Sequence, residues 1–298
     1  MGQNLESTRS WGWRLGAGVV ALLLSPGLPA LAASRWRRGL GFEGVELGAY
    51  FLAAGAGRFG WPGGFWTGLS FIVAWRMIVA VDAFRAPAAT KRLHWLLLVI
   101  LSLGLLFTKE GVAFAMRANV VEAFRQPSDG MAPTLRFGDN FFARKHPTEI
   151  RRGDVVVFRY PTDPRLIFIQ RVVGVGGDVV TMAGDQLTVN GTLVKRRAIN
   201  EACPVIVEAG ICEVWEESLG GRTYRVLEAN YGQPNDDTWT VMVPPDSYFV
   251  LGDNRDNSSD SRRWGALPKD NLVGVPTFIW WSNDENGMCF DRMNRRVE

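Results

Sequence analysis

Residues 93–107 read LHWLLLVILSLGLLF and contain no charged side chain, and Lys-Arg and Lys-Glu pairs flank the run. With its flanks the run reaches about seventeen residues, the short end of what a helix needs to cross a bilayer. A buried core helix is the alternative explanation of a run this long. The run favours a membrane-embedded segment and separates an apolar part of the chain from a polar part.

Composition changes sharply at the end of that run. Residues 1–110 hold eleven Lys and Arg against five Asp and Glu, together with seven of the twelve Trp. Residues 111–298 hold twenty-two basic and twenty-five acidic residues, so the net charge of +3 is the sum of two opposite halves. This division is typical of a membrane anchor joined to a soluble domain, and it gives no indication of a nucleic-acid partner. The composition excludes a disordered chain, a collagen and a disulfide-dense miniprotein.

Four apolar runs, at residues 15–33, 43–58, 63–84 and 92–109, predict a multi-span α-helical anchor over residues 1–110. Two prolines interrupt the first run, which we expect to be re-entrant or spanning. A cleavable signal peptide is the competing explanation of that run. The third run contains Arg76, whose charge needs a partner or must reach the membrane surface.

Basic residues determine the predicted orientation of the anchor. They are concentrated after the first run and between the third and the fourth, and the positive-inside rule places both loops in the cytoplasm. The last run then crosses outward. Residues 111–298 are therefore predicted to lie outside the cytoplasm.

From about residue 120 the sequence consists of short runs rich in β-branched and aromatic residues, separated by turns. Asn190-Gly191, between two β-type pairs, predicts a type I′ hairpin. The sequence predicts a mostly antiparallel β domain over residues 111–298. The predicted strands include residues 155–158, 168–173, 179–182, 187–189, 248–251 and 278–281.

The chain has three cysteines, and outside the cytoplasm two of them can pair. Cys203 and Cys212 are close enough in sequence to close a short loop as a disulfide, which leaves Cys289 unpaired. The chain has two histidines and no Cys-x-x-Cys pair, so we expect no zinc site and no other metal or cofactor.

Two polar segments differ from ordinary β-protein sequence. The first reads QPSDGMAPTL at residues 126–135, and the second reads GDNRDNSSDSR at residues 252–262. The second segment does not fit an EF-hand calcium loop, because the sixth and twelfth positions counted from Asn254 lack the required Gly and Glu. Its density of Asp, Asn, Arg and Ser indicates a turn that forms internal hydrogen bonds and supports a neighbouring site.

Together with RGDVVVF at residues 152–158, RVVG at residues 171–174 and LVG at residues 272–274, these segments closely resemble the bacterial type I signal peptidases. The resemblance extends from about residue 120 to residue 282. It implies a signal-peptidase-like β fold, carried by a membrane-anchored protease that removes signal peptides from exported proteins. It also implies that this domain lies on the outer side of the inner membrane.

The chemistry of that family uses a Ser–Lys dyad, in which a lysine of depressed pKa takes the proton of the attacking serine. The resemblance places Gly130 at the nucleophile position and Gln170 at the lysine position. Glycine has no hydroxyl, and an amide does not accept a proton near neutral pH. The sequence therefore predicts that both catalytic groups are absent, as in a pseudoprotease or a substrate trap.

Other parts of the site are present. The resemblance assigns the hydroxyl of Ser128 and the backbone N–H of Gly130 to the oxyanion hole. It assigns Ser258 to orienting the lysine, and Asp260 with Arg262 to a supporting ion pair whose role is mainly structural. The residues that resemble the lining of the signal-peptide groove are Met131, Pro133 and Ile169.

We therefore expect a signal peptidase homologue of the bacterial inner membrane that does not cleave. It would bind signal peptides or preproteins, or assist an active peptidase, with the lipid bilayer as a further partner and no nucleic acid. The alternative is an active type I signal peptidase with displaced catalytic groups, in which Ser128 is the nearest hydroxyl. A structural membrane protein without a peptide groove is the third hypothesis.

Overall fold

The computed structural model describes residues 36–59, 61–84, 120–204, 212–229, 238–285 and 287–298. The chain divides into two compact units, Met1–Asn119 and Val120–Glu298. The apolar runs predicted at residues 15–33 and 92–109 lie outside the described residues. The two units are described separately below.

In the first unit, helix α1 (Trp36–Phe59) packs against helix α2 (Pro62–Phe84), and the two contain the second and third predicted apolar runs. Arg76 on α2 has a partner, because its Nη2 lies 2.5 Å from Oε1 of the fully buried Glu46 on α1. Within the described ranges, neither helix is long and apolar enough to cross a membrane. The prediction that these two runs span the bilayer is therefore not confirmed.

The second unit is the predicted antiparallel β domain, and every ladder between its strands is antiparallel. All six strands predicted from composition are confirmed. A short helix, α3, covers Ser261–Trp264. The strands are β1 Val121–Arg125, β2 Asp139–Lys145, β3 Val155–Tyr160, β4 Asp163–Val175, β5 Val179–Ala183, β6 Gln186–Val189, β7 Thr192–Leu193, β8 Lys195–Ile199, β9 Cys212–Leu219, β10 Arg222–Ala229, β11 Thr238–Met242, β12 Ser247–Leu251, β13 Leu267–Pro268, β14 Leu272–Asp284 and β15 Gly287–Met288.

The largest sheet has the strand order β1-β2-β14-β3-β4-β12-β13, and β15 pairs with β14. A three-stranded sheet, β10-β9-β8, and a four-stranded sheet, β11-β5-β6-β7, complete the unit. The hairpin between β6 and β7 is the predicted type I′ turn, since Asn190 has φ +52° and Gly191 has φ +74°.

The central strand β3 is buried on both faces of the large sheet. Val155 and Val157 pack into one core, whereas Val156 and Phe158 pack into the core on the opposite face. This alternation explains why the strand reads as a continuous hydrophobic run. The same period of two places neighbouring residues of β4 on opposite faces.

Cys203 and Cys212 form a disulfide that packs beside Ala132, Val214 and Leu227, and Cys289 is free. The pairing considered from sequence is thus present. The bond ties the chain before β9 to the start of that strand.

We predict that the denatured, unreduced protein has one thiol that reacts with maleimide, and that reduction raises the number to three. The added mass on the intact chain measures this directly. Cys203→Ser is the control, since it should expose two thiols without reduction. Three reactive thiols before reduction would rule out the disulfide.

Candidate active site

The segment between β1 and β2 contains the predicted nucleophile position and is closed at its base by backbone hydrogen bonds. The N–H of Gln126 donates to the carbonyl oxygen of Asp139 at 2.8 Å, and the N–H of Gly138 donates to that of Gln126 at 3.0 Å. Inside the segment, Oδ1 of Asp129 accepts from the N–H of Phe137 at 2.8 Å. These bonds fix the path of the chain through residues 128–130.

Gly130 lies in this segment with its carbonyl oxygen 3.2 Å from the donating N–H of Asn254. A Cβ atom built on Gly130 would lie 3.4 Å from the carbonyl oxygen of Asn257 and 3.7 Å from Oγ of Ser128. These are tolerable contact distances, so the fold does not require glycine at this position. The backbone at position 130 would also accept a residue with a hydroxyl group, and the sequence has glycine there.

Gln170 occupies the predicted lysine position in β4, opposite Val156 of β3, and is 4% exposed. Its Nε2 donates to the carbonyl oxygen of Ser259 at 2.8 Å and to Oγ of Ser258 at 3.3 Å. Ser258 therefore contacts the side chain at position 170, as the resemblance implies. The amide is held in place but provides no basic nitrogen.

Gly130 and Gln170 line the same cleft, which has a volume of about 170 Å³. The predicted residues Ser128, Ser258 and Ile169 line it as well. All of its lining residues are described, and they include no charged side chain and no histidine. They are Gln126, Pro127, Ser128, Gly130, Ile167, Phe168, Ile169, Gln170, Asn257, Ser258 and Ser259.

The two donors assigned to the oxyanion hole are available. Neither the N–H of Gly130 nor Oγ of Ser128 has a hydrogen-bond partner among the described residues. Such donors can hold and polarise a carbonyl oxygen. Position 130 itself provides no hydroxyl, and the described lining of the cleft contains no lysine, histidine or carboxylate that could act as a base.

Asp260 and Arg262 form the predicted ion pair, with Nη2 of Arg262 2.8 Å from Oδ2 of the fully buried Asp260. Oδ2 also accepts from the N–H of Gly252 at 3.0 Å, and Oδ1 accepts from the backbone N–H of Arg262 at 3.2 Å. The carboxylate therefore caps α3 and fastens the end of β12 to it. These contacts indicate a structural role.

Gly252 allows the two polar segments to meet. A Cβ on this residue would lie 2.4 Å from Cβ of Ser258 and 2.5 Å from the carbonyl oxygen of Gly130. Those distances are impossible for a real side chain, so only glycine permits the approach. The close contact brings position 130 and Ser258 to the same cleft.

A second buried ion pair, between Arg171 and Asp253, lies beside the site. Both side chains are 1% exposed, and Nε and Nη2 of Arg171 each donate to a carboxylate oxygen of Asp253 at 2.7 Å. Oδ2 of Asp253 also accepts from Oγ1 of Thr134 at 2.5 Å. The pair thus connects β4 to both polar segments.

The guanidinium of Arg171 has further partners. Its Nη1 donates to the carbonyl oxygen of Gly153 at 2.7 Å, and its Cζ lies 3.8 Å from the ring centre of Tyr224. Burial alone would lower the pKa of Arg171, but the adjacent carboxylate of Asp253 outweighs it and raises that pKa. Arg171 therefore stays charged, and its charge is matched inside the protein.

The three residues predicted to line the peptide groove lie in different places. Ile169 lines the cleft, as expected. Met131 is 1% exposed and packs in the hydrophobic core with Leu135, and Pro133 lines a different cavity. The structure therefore brings only Ile169 of these three into the cleft with Gly130.

Sequence reasoning gave no role to Arg171 or Asp253, although both lie in the quoted motifs. A signal was present, because Arg171 follows Gln170 in a strand and must point to the opposite face. An arginine among apolar strand residues needs an acidic partner. Spacing alone does not identify that partner as Asp253, which lies 82 residues away.

Comparison with known proteins matches most of this chain to a family. A family model described as "Signal peptidase, peptidase S26" matches residues 93–281. The signal peptidase I of Pseudomonas fluorescens is 35% identical over 199 residues, which cover 57% of this chain and 68% of that protein. The signal peptidase I of Aquifex aeolicus is 31% identical over 218 residues, covering 62% of this chain and 82% of that protein. A solved signal peptidase I from Enterococcus faecalis, 23% identical, covers 43% of this chain and 96% of its own with a TM-score of 0.26, too low to carry an argument.

We predict that Arg171→Met lowers the free energy of unfolding by about 3–5 kcal/mol, because it leaves the carboxylate of Asp253 buried without a counter-charge. Urea unfolding of the full chain in detergent, followed by tryptophan fluorescence, measures the change. The double variant Arg171→Met with Asp253→Leu should recover part of the loss, since it removes both charges.

Arg165→Met is the matched control for that experiment. Arg165 pairs with Asp163, but its side chain is 88% exposed, so we expect no measurable change in stability. Equal effects of the two Arg→Met substitutions would contradict a structural role for the buried pair.

Proposed function

This chain belongs to the peptidase S26 family of signal peptidases, and from that premise we propose that it binds signal peptides or other extended segments of preproteins without cleaving them. Its activity would be to bind peptides, and it would not hydrolyse the peptide bond. Capturing exported proteins at the membrane, or assisting an active peptidase, are the two forms that this role would take.

One observation carries the proposal. The cleft contains free oxyanion donors from Ser128 and Gly130, yet glycine and glutamine stand at the two positions that the family resemblance assigns to the nucleophile and the base. Gln170 is neutral and held by hydrogen bonds, so it neither removes a proton nor creates an unpaired buried charge. A carbonyl can bind in such a site, but no group attacks it.

The edge of β4 supports binding by strand addition. Strand β12 pairs with β4 only from Leu251 opposite Arg171 onward. Residues 167–170 thus have a described strand neighbour, β3, on one side alone. An extended peptide can pair with such an edge through main-chain hydrogen bonds and place one of its carbonyl groups beside Ser128.

The alternative is an active peptidase that uses Ser128 as the nucleophile. A serine hydroxyl needs an adjacent base, and the described lining of the cleft contains no lysine, histidine or carboxylate. Lys145, a lysine of the same unit, instead pairs with Glu122 at 2.7 Å. These contacts favour the inactive form.

We also infer that residues 1–110 anchor the protein in the bacterial inner membrane, with residues 111–298 on the outer side. The uncharged run at residues 93–107 and the basic loops support this arrangement. The disulfide between Cys203 and Cys212 suits an oxidising compartment outside the cytoplasm.

We predict that the purified full chain leaves a preprotein intact, and that Gly130→Ser combined with Gln170→Lys gains cleavage. The serine Cβ has room, and burial beside Ser258 should lower the pKa of the new lysine so that it can act as a base. Gel analysis of the processed preprotein, with N-terminal sequencing of the product, measures the gain.

Gly130→Ala with Gln170→Lys is the matched control, because it fills the same space and adds the same lysine but supplies no hydroxyl. It should not cleave. Robust cleavage by the unmodified chain, abolished by Ser128→Ala, would overturn the proposed function in favour of the active alternative.

We predict that a membrane-impermeant maleimide labels Cys289 in cells whose outer membrane alone has been permeabilised. The control is Ser34→Cys in a Cys289→Ser background, which places the thiol in a loop expected to be cytoplasmic and should react only after lysis. Intact mass and gel shift report the labelling. Labelling of Cys289 only after lysis would reverse the proposed orientation.

A further inference from the structure

Two glutamines line the cleft, and both are more than nine-tenths buried, with Gln126 3% and Gln170 4% exposed. Each has a side-chain oxygen, Oε1, with no hydrogen-bond donor among the described residues. A buried acceptor without a donor is unfavourable until a ligand or a water molecule supplies one. Two of the residues that line the cleft therefore carry acceptors in need of N–H or O–H groups. Both oxygens are closed off from solvent, so a ligand reaches them only when the amide or its neighbours move.

The identity of these atoms follows from their neighbours. Nε2 of Gln126 donates to the carbonyl oxygen of Ser128 at 2.8 Å, and Nε2 of Gln170 donates to that of Ser259 at 2.8 Å. A carbonyl oxygen only accepts hydrogen bonds, so turning either amide around would set two oxygens against each other. In both side chains the unpartnered atom is therefore the oxygen.

The same cleft has unused donors, the hydroxyl of Ser128 and the N–H of Gly130. It thus combines donors and acceptors and has no charged lining residue among those described. A peptide group matches this set, because its carbonyl oxygen accepts and its N–H donates. A carboxylate matches only the donors and brings a negative charge with no counter-charge in the lining.

We propose that this cleft recognises intact peptide amides and discriminates against the free carboxylate that ends a cleaved peptide, with Gln126 and Gln170 as the residues that determine this specificity. The proposal rests on the proposed function, since it takes peptide binding at this cleft as given. It identifies the bound form as the uncleaved peptide. A lysine at position 170 would weaken this discrimination, because a carboxylate bound beside it would raise the lysine pKa and stabilise the ammonium form.

The test uses two fragments of one signal peptide that end at the residue before the cleavage site, one as the free acid and one as the primary carboxamide. Binding to the full chain in detergent at neutral pH is measured by fluorescence anisotropy of a dye at the peptide N-terminus. We expect the carboxamide to bind about tenfold more tightly, the effect of one further hydrogen bond.

Two variants link the preference to the glutamines. Gln126→Leu removes one acceptor and should reduce the preference for the carboxamide, whereas Gln186→Leu, an exposed glutamine on β6, is the matched control and should leave it unchanged. Gln170→Lys should also reduce the preference, because the carboxylate of the free acid stabilises the ammonium form of the lysine when it binds. Thermal unfolding of each variant establishes that it is folded.

The outcomes separate this inference from the proposed function. Measurable binding of both peptides with equal affinity would overturn the inference and leave peptide binding in place. Binding of neither peptide at millimolar concentration would overturn both. A carboxamide preference that Gln126→Leu and Gln186→Leu reduce equally would show that the glutamines of the cleft do not determine it.

Discussion

The buried guanidinium of Arg171 is the point on which the geometry of the site depends. It is paired with Asp253 of the second polar segment and bonded to the main chain at Gly153, while the same carboxylate accepts from Thr134 of the first segment. Four stretches of chain that are distant in sequence therefore meet at one matched pair of charges. Removing either charge alone would leave the other uncompensated in the interior, so this arrangement tolerates little variation.

The residues that maintain the fold around the cleft are different from the residues that a reaction would need. The residues that a search for motifs finds most readily, from Gly252 to Arg262, form a close approach, a helix cap and an ion pair that shape the cleft. These three contacts form without a nucleophile or a base. The sequence similarity to the family over this segment is therefore explained by the stability of the fold. It does not by itself indicate hydrolysis.

Much of the β domain was predictable from the sequence, because its signals are local. The type I′ hairpin at Asn190-Gly191 follows from two residues that tolerate positive φ, and the buried strands follow from their composition. The resemblance assigned Gly130, Gln170 and Ser258 to one site, and in the structure all three line the same cleft. The partner of Arg171 and the strand order of the large sheet depend on pairings between distant segments, which no local pattern specifies. Met131 illustrates the same limit, since a motif position does not reveal whether a side chain faces the cleft or the core.

Gly130 and Gln170, at the positions that the family resemblance assigns to the dyad, are physically compatible with each other. Without a hydroxyl at position 130, a buried lysine at position 170 would have no proton to take, and its ammonium form would be unpaired in a neutral cleft. Gln170 removes that charge and gains a bond to the carbonyl oxygen of Ser259. Buried pairs such as Arg171 with Asp253 are present, whereas Gly130 and Gln170 stand at the two positions that the family resemblance assigns to the reaction. A site with these two residues is suited to hold a peptide group by its donors and acceptors.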